Sequence, residues 1–221
     1  MINSLHKLLH RPERGWDPVP AKHAADYTRL AESTVDHNLV GMLAEKLGGL
    51  AGKRVLDLGG GPGQYAVTFA CEGACVVWHD ISRNYLRIAE ARARSGAVNL
   101  TFSLGYLEDA GRLSADPFDL VFCRLCWYYC AADRPFAGII YSLLKPGGAA
   151  YIDASTPALE SPVGIRGFQC FLNNALWFKV GHPHPPHGRI ARLFHQYPVA
   201  YMELDYSLPL RDRVFLIKSS D

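Results

Sequence analysis

No stretch of the sequence is both long and apolar enough to cross a bilayer as a helix, which takes about 20 consecutive apolar residues. A surplus of charge of one sign is also missing. Lys and Arg number 23 against 21 Asp and Glu, a formal net charge of +2, too small to argue for a nucleic-acid partner by itself. No internal repeat and no low-complexity tract interrupts the chain. The opening run MINSLHKLLHRPERGW is amphipathic and broken by Pro12. It lacks the apolar stretch and small-residue cleavage site of a secretory signal, so a cytoplasmic location is expected. The six cysteines are interleaved with apolar residues inside apparent strands and helices. That pattern points to reduced, buried thiols rather than a disulfide framework.

What is present suits one α/β domain of 221 residues with a sizeable core, 49% of the residues being hydrophobic. Residues 1–52 read as an N-terminal helical cap. Residues 53–221 read as the main domain, with an irregular insert at about 157–188. Leu39, Val40, Leu43 and Leu47 space a helix that packs on the sheet.

Strands and helices alternate from residue 53 onward. Arg54–Leu58 is a short β-rich run closed by glycines, and Gln64–Cys71 follows as a helix. Residues 74–79 (ACVVWH) give a second strand. Ser82 caps a helix over 83–94. Residues 98–104 and 118–123 are the third and fourth strands. A helix over 134–144 follows, with Phe136, Ile139, Ile140, Leu143 and Leu144 on one face. After the turn at Lys145-Pro146-Gly147-Gly148, residues 149–154 form a fifth strand. Such alternation implies parallel pairing and right-handed crossovers. Two tail strands, 199–208 and 213–218, are joined by too short a connection for anything but antiparallel pairing. The fold class is therefore α/β: a doubly wound, mostly parallel, seven-stranded sheet with an antiparallel last strand and helices on both faces. Its ligand is expected beyond the carboxyl ends of the strands.

Asp57-Leu58-Gly59-Gly60-Gly61-Pro62-Gly63 falls there, after the first strand and before a helix. Asp80 ends the second strand, 17 residues after Gly63, where a carboxylate can accept hydrogen bonds from ribose hydroxyls. VLDLGGGPG resembles the signature of class I S-adenosylmethionine-dependent methyltransferases, residue by residue at Asp57, Gly59, Gly61 and Gly63. Asp80 matches that family's ribose-binding acid, and LKPGG at 144–148 is similar to the turn it carries before the fifth strand. The resemblance covers residues 50–155, and more loosely the last two strands. It implies S-adenosyl-L-methionine as cofactor, with Ile81, Leu107, Glu108 and Cys123 also lining its site. Tyr106 stands where the family often has an acid. The upstream piece folds over the cofactor in similar enzymes, so Tyr27 and Arg29 are candidates to meet its methionine carboxylate.

The rival reading is a dinucleotide domain, because Gly61-x-Gly63-x-x-Ala66 also fits the G-x-G-x-x-G/A fingerprint. Three features oppose it. Asp57 lies inside the strand, where that fingerprint calls for no acid. About fifty residues precede the glycine strand, whereas dinucleotide folds usually begin with it. The KPGG turn has no role in it.

Methyl transfer needs alignment and the exclusion of water, and a general base only where the acceptor is protonated. After the fourth strand comes Cys123-Arg124-Leu125-Cys126-Trp127-Tyr128-Tyr129-Cys130. It lacks the Asn/Asp-Pro-Pro-aromatic motif common in enzymes that methylate planar amines of nucleic acids, which argues against base flipping. Trp127 and Tyr128, with Trp16 and Arg166, are candidate acceptor contacts; Trp127 reads equally well as core. Cys123, Cys126 and Cys130 invite a metal, but no fourth ligand is evident nearby, and no metal is expected. In the insert, Phe168, Phe171, Trp177 and Phe178 precede Gly181-His182-Pro183-His184-Pro185-Pro186-His187-Gly188. A lid over the acceptor is expected there, with a short helix over 172–180. Ile190, Leu193, Phe194 and Tyr197 start a helix near His187, and a helix N-terminus keeps imidazole neutral. His187 and His184 are the candidate general bases.

The expected activity is S-adenosylmethionine-dependent methyl transfer to an O or N atom of a small, aromatic metabolite. The expected partner is that acceptor, with no nucleic acid or membrane, the chain being a monomer or homodimer. Protein or RNA methylation is the alternative, as is another chemistry on an S-adenosyl ligand.

Overall fold

The computed structural model describes residues 7, 9–32, 34–113, 115–156, 168, 172, 182–208 and 210–220. Seven strands form one sheet in the order β3-β2-β1-β4-β5-β7-β6. They are β1 (Arg54–Leu58), β2 (Cys75–Asp80), β3 (Leu100–Leu104), β4 (Phe118–Arg124), β5 (Leu144–Ser155), β6 (Val199–Asp205) and β7 (Arg211–Lys218). β1 to β5 pair in parallel; β7 runs antiparallel to both of its neighbours, β5 and β6. The expected doubly wound sheet is observed. β7 begins at Arg211, so two residues assigned to a turn belong to the strand, where Arg211 pairs with Ser155 and Asp212 with Ala154.

Helices α1 (Ala21–Glu32), α2 (His37–Lys46), α3 (Gln64–Cys71), α4 (Arg83–Ser95), α5 (Asp133–Leu143) and α6 (Arg189–Phe194) cover the sheet. The two faces carry separate cores. Leu56, Leu58, Val121, Ile152, Val214 and Leu216 meet Phe136, Ile140 and Phe194 of α5 and α6 on one face. Val55, Leu120, Phe122, Tyr151 and Phe215 meet Tyr65 and Phe69 of α3 and Leu43 of α2 on the other. Strands buried on both sides read as continuous apolar runs, which is why VFC and AAYI stand out in the sequence. Asp36 caps α2 through Leu39 N, and Ser82 caps α4 through Tyr85 N.

Among the described residues no helix is long and apolar enough to cross a membrane. One expectation needs correcting. Cys123, Cys126 and Cys130 are buried, but Cys71 and Cys75 are exposed, because they sit at the last turn of α3 and the first residue of β2 rather than inside the core. Arg166, Phe171, Trp177, Phe178 and nearly all of the expected helix at 172–180 lie outside the described residues.

Candidate active site

β1 carries Asp57 and stops at Leu58, and the chain turns through Gly59–Gly63 into α3. Gly59, Gly61 and Gly63 have φ of +76°, +50° and +78°, a region that side chains with a Cβ rarely enter. At Gly59 a Cβ would stand 2.6 Å from Cys126 Cβ and Sγ, so the β4 loop closes against bare backbone. At Gly61 a Cβ would meet nothing within 4 Å. The α-carbon there faces open space, where a ligand can approach the main chain.

The loop is held from β2. Trp78 Nε1 donates to Gly61 O at 3.0 Å, and Gly61 N donates to Asp80 Oδ2 at 2.9 Å. Ser82 N donates to Asp80 Oδ1 at 2.8 Å. Each Asp80 oxygen keeps a second lone pair for a hydroxyl. Burial pushes the Asp80 carboxyl up to about 6, against the backbone amides of Ser82, Gly61 and Ile81 that favour its charge. Ile81 itself is half-buried beside it. Asp57 is buried, and its Oδ2 has no hydrogen-bond partner. Burial, then the charge of Asp80, pushes it up to about 7; the Ala66 amide and the Arg124 guanidinium pull the other way. Two neighbouring buried carboxyls, one with an orphaned oxygen, call for hydrogen-bond donors from a ligand. The ribose hydroxyls and ammonium of an S-adenosyl ligand supply them, so the residues present fit that cofactor.

On the β3 side, Leu107 is half-buried against the core, 3.7 Å from where a Gly59 Cβ would lie. Glu108 accepts from Ala131 N at 2.5 Å and pairs with Lys7. Tyr106 takes a structural place: its N–H donates to Asp109 Oδ2, and its carbonyl is 2.8 Å from His79 Nε2. Its ring stacks on Trp16, centroids 6.1 Å apart and planes at 19°. Trp16, expected at the acceptor, is thus on the β3 side, because the preceding segment is strapped there. Arg11 pairs with Asp109 at 3.1 Å, Arg83 donates to Pro12 O, and Asp17 Oδ2 accepts from Asn84 N at 2.8 Å and from Ser82 Oγ.

In α1, Tyr27 packs its ring 5.9 Å from that of Tyr85. Burial raises its hydroxyl's pKa, and the Arg124 charge opposes that rise. Arg29 does not reach the cleft. Its side chain is 75% exposed and pairs with Asp26 on the wet face of α1.

At the end of β4, Cys123 pairs in register with Leu58 and is buried. Its Sγ is 3.3 Å from Cys126 Sγ, and Cys126 Sγ donates to Leu58 O at 3.1 Å. That hydrogen bond to Cys123, and burial, push the Cys126 thiol well up, which keeps it protonated. Trp127, a candidate acceptor contact that read equally well as core, lies in the core. It is fully buried, donates Nε1 to Asp133 Oδ1 at 3.1 Å and packs edge-on against Phe136 and Phe194. Tyr128 is half-buried, between Tyr129 (centroids 4.3 Å) and the exposed His184 (4.6 Å). His187 lies just before α6, its side chain 61% exposed, with Nδ1 2.6 Å from Oδ1 of the buried Asp212 and its ring 4.2 Å from that of Tyr206. The two histidines thus have different neighbours.

Sequence reasoning gave no role to Trp78, Asp17 or Arg124. Only Arg124 carried a usable signal, a cation directly after the fourth strand.

A seven-stranded sheet with β7 inserted antiparallel between β5 and β6, and a glycine turn after β1 answered by an acid at the end of β2, is the class I methyltransferase arrangement. Residues 55–148 match the family model described as a methyltransferase domain. Over that segment the chain is similar to the class I S-adenosylmethionine-dependent methyltransferases. It is 32% identical over 112 residues to the ubiquinone biosynthesis O-methyltransferase of Cronobacter sakazakii, covering 51% of this chain and 46% of that one. The chain thus matches about half the length of such curated relatives. Among solved structures it is similar to magnesium protoporphyrin IX methyltransferase from Synechocystis PCC 6803 with bound SAH, at a TM-score of 0.60 and 18% identity over 83% of this chain and 81% of that one. It is also similar to an O-methyltransferase family protein from Burkholderia thailandensis, at a TM-score of 0.60 and 20% identity over 82% and 57%.

Proposed function

We propose that the protein transfers the methyl group of S-adenosylmethionine to an oxygen or nitrogen atom of a small aromatic acceptor. The observation that carries this reading is the pair of buried carboxyls, Asp57 and Asp80, flanking a glycine turn that opens at Gly61. The cofactor, when bound, supplies an electrophilic methyl on a sulfonium. The chain's part is to hold the acceptor in line and keep water out, which supplies about 7–11 kcal/mol in well-oriented systems. Tyr128 and Tyr129, beside His184 and His182, offer an aromatic wall suited to a planar acceptor. His184, or His187 backed by Asp212, would take the proton of a phenol or ammonium. The near-balanced net charge favours a small acceptor over RNA.

The test is incubation with methyl-labelled S-adenosylmethionine against a panel of phenols, catechols and aromatic amines, with transfer RNA and a protein extract in parallel. Label in the small-molecule fraction is expected. Label confined to RNA or protein contradicts the reading.

A further inference from the structure

Resting on the functional reading above, we propose that Arg124 is the carboxylate-binding residue of the cleft. The register pairs Cys123 with Leu58, so Arg124 stands beside Gly59, the first residue of the glycine turn. It shares a sheet face with Phe122, and its guanidinium lies over the Tyr65 ring, 5.2 Å from the centroid, which orients it. Its ion pair is with Asp153, Nε to Oδ2 at 3.4 Å, and Nε, though buried, makes no hydrogen bond. Asp153 is committed elsewhere. It is 1% exposed and accepts both Nε (2.8 Å, on Oδ1) and Nη2 (on Oδ2) of Arg211. Two guanidiniums thus share one carboxylate, and the surplus positive charge falls on the group nearer the glycine turn. Arg124 is 21% exposed, so a ligand can reach it.

Among the described residues, three cations of the N-terminal segment are engaged elsewhere. Lys7 and Arg11 are tied to Glu108 and Asp109 on the β3 side, and Arg29 to Asp26 on the outer face of α1. The charge of Arg124 is felt by both Asp57 and Tyr27. Asp57 and Arg124 together offer an anion and a cation, the complement of an amino-acid end with its ammonium and carboxylate. A carboxylate on the acceptor would present the same chemistry to Arg124.

The experiment is calorimetric titration with S-adenosylhomocysteine and with 5′-deoxy-5′-(3-aminopropylthio)adenosine, the same molecule without its carboxylate. Wild-type protein should favour the first by about tenfold or more, as loss of a charge-assisted contact costs. Arg124→Gln should erase most of that preference, Arg124→Lys keep part of it, and Arg29→Gln keep all of it. Arg124→Met, whose stem still covers Tyr65, is the second neutral variant should Arg124→Gln not fold. If the preference survives in the neutral variants, the S-adenosylhomocysteine-loaded protein is titrated with 3,4-dihydroxybenzoate and with catechol. A preference for the carboxylate that disappears with Arg124 assigns the residue to the acceptor instead. If neither preference depends on Arg124, the proposal is overturned. Wild-type protein that binds neither nucleoside contradicts the functional reading itself, a different result.

Discussion

Gly61 donates its backbone N–H to Asp80 Oδ2 at 2.9 Å, so the glycine turn after β1 and the acid at the end of β2 are one unit. Asp80 thus shapes the turn from the neighbouring strand. Asp80→Asn should weaken S-adenosylhomocysteine binding by about 10- to 100-fold, because an amide can accept from only one of the Gly61 and Ser82 N–H groups and turns its NH2 against the other. Calorimetry measures the loss, and an unchanged circular dichroism spectrum separates it from unfolding.

Cofactor binding should release protons. Asp57 and Asp80 titrate at about 7 and about 6 in the free protein because burial disfavours their charge. Hydroxyls and an ammonium favour the charged forms, so binding lowers both values. Affinity should therefore rise between pH 5 and pH 7.5. Titration near pH 6.5 in buffers of different ionisation enthalpy should report proton release; uptake would contradict the assignment.

The same two groups set a pH dependence of stability. Their folded values lie above the roughly 3.9 of an unfolded aspartate, so the folded state binds more protons than the unfolded state in that interval. Their contribution is fully present below about pH 4 and is lost as pH rises through 6 and 7. Asp57→Asn should flatten the fall in urea midpoint of the free protein across pH 5–7.5.

Gly59→Ala should destabilise the protein by about 2–4 kcal/mol, from the positive φ and from the overlap with Cys126. Adding Cys126→Gly removes the overlap and should restore part of the loss, leaving the backbone strain. Urea denaturation of the two variants checks this.

Trp127→Phe should cost about 1–3 kcal/mol of stability by stripping Asp133 of its indole donor in the core, with S-adenosylhomocysteine affinity unchanged. A large loss of affinity would return Trp127 to the cleft.

What could be read from the sequence was local. RVLDL, the glycines and Asp80 lie within one strand–turn–helix–strand unit, where spacing alone brings them to the same edge. The antiparallel pairing of the two tail strands followed from the short link between them, whereas the insertion of the last strand beside β5 came only with the family resemblance. Side-chain direction was not local. Trp127 and Tyr128 are adjacent and equally aromatic, yet one donates into the core and the other faces His184. Trp16 went to the β3 side because Lys7 and Arg11 find acids about a hundred positions away. Arg29 and Arg124 look alike as letters; only the wet face of α1 and the register of β4 against β1 tell them apart.

The central claim is tested most directly by titrating the purified protein with S-adenosylhomocysteine, with NADH as control. The account predicts saturable binding of S-adenosylhomocysteine at one site per chain and none of NADH. Binding of NADH in its place, or of neither, would contradict it.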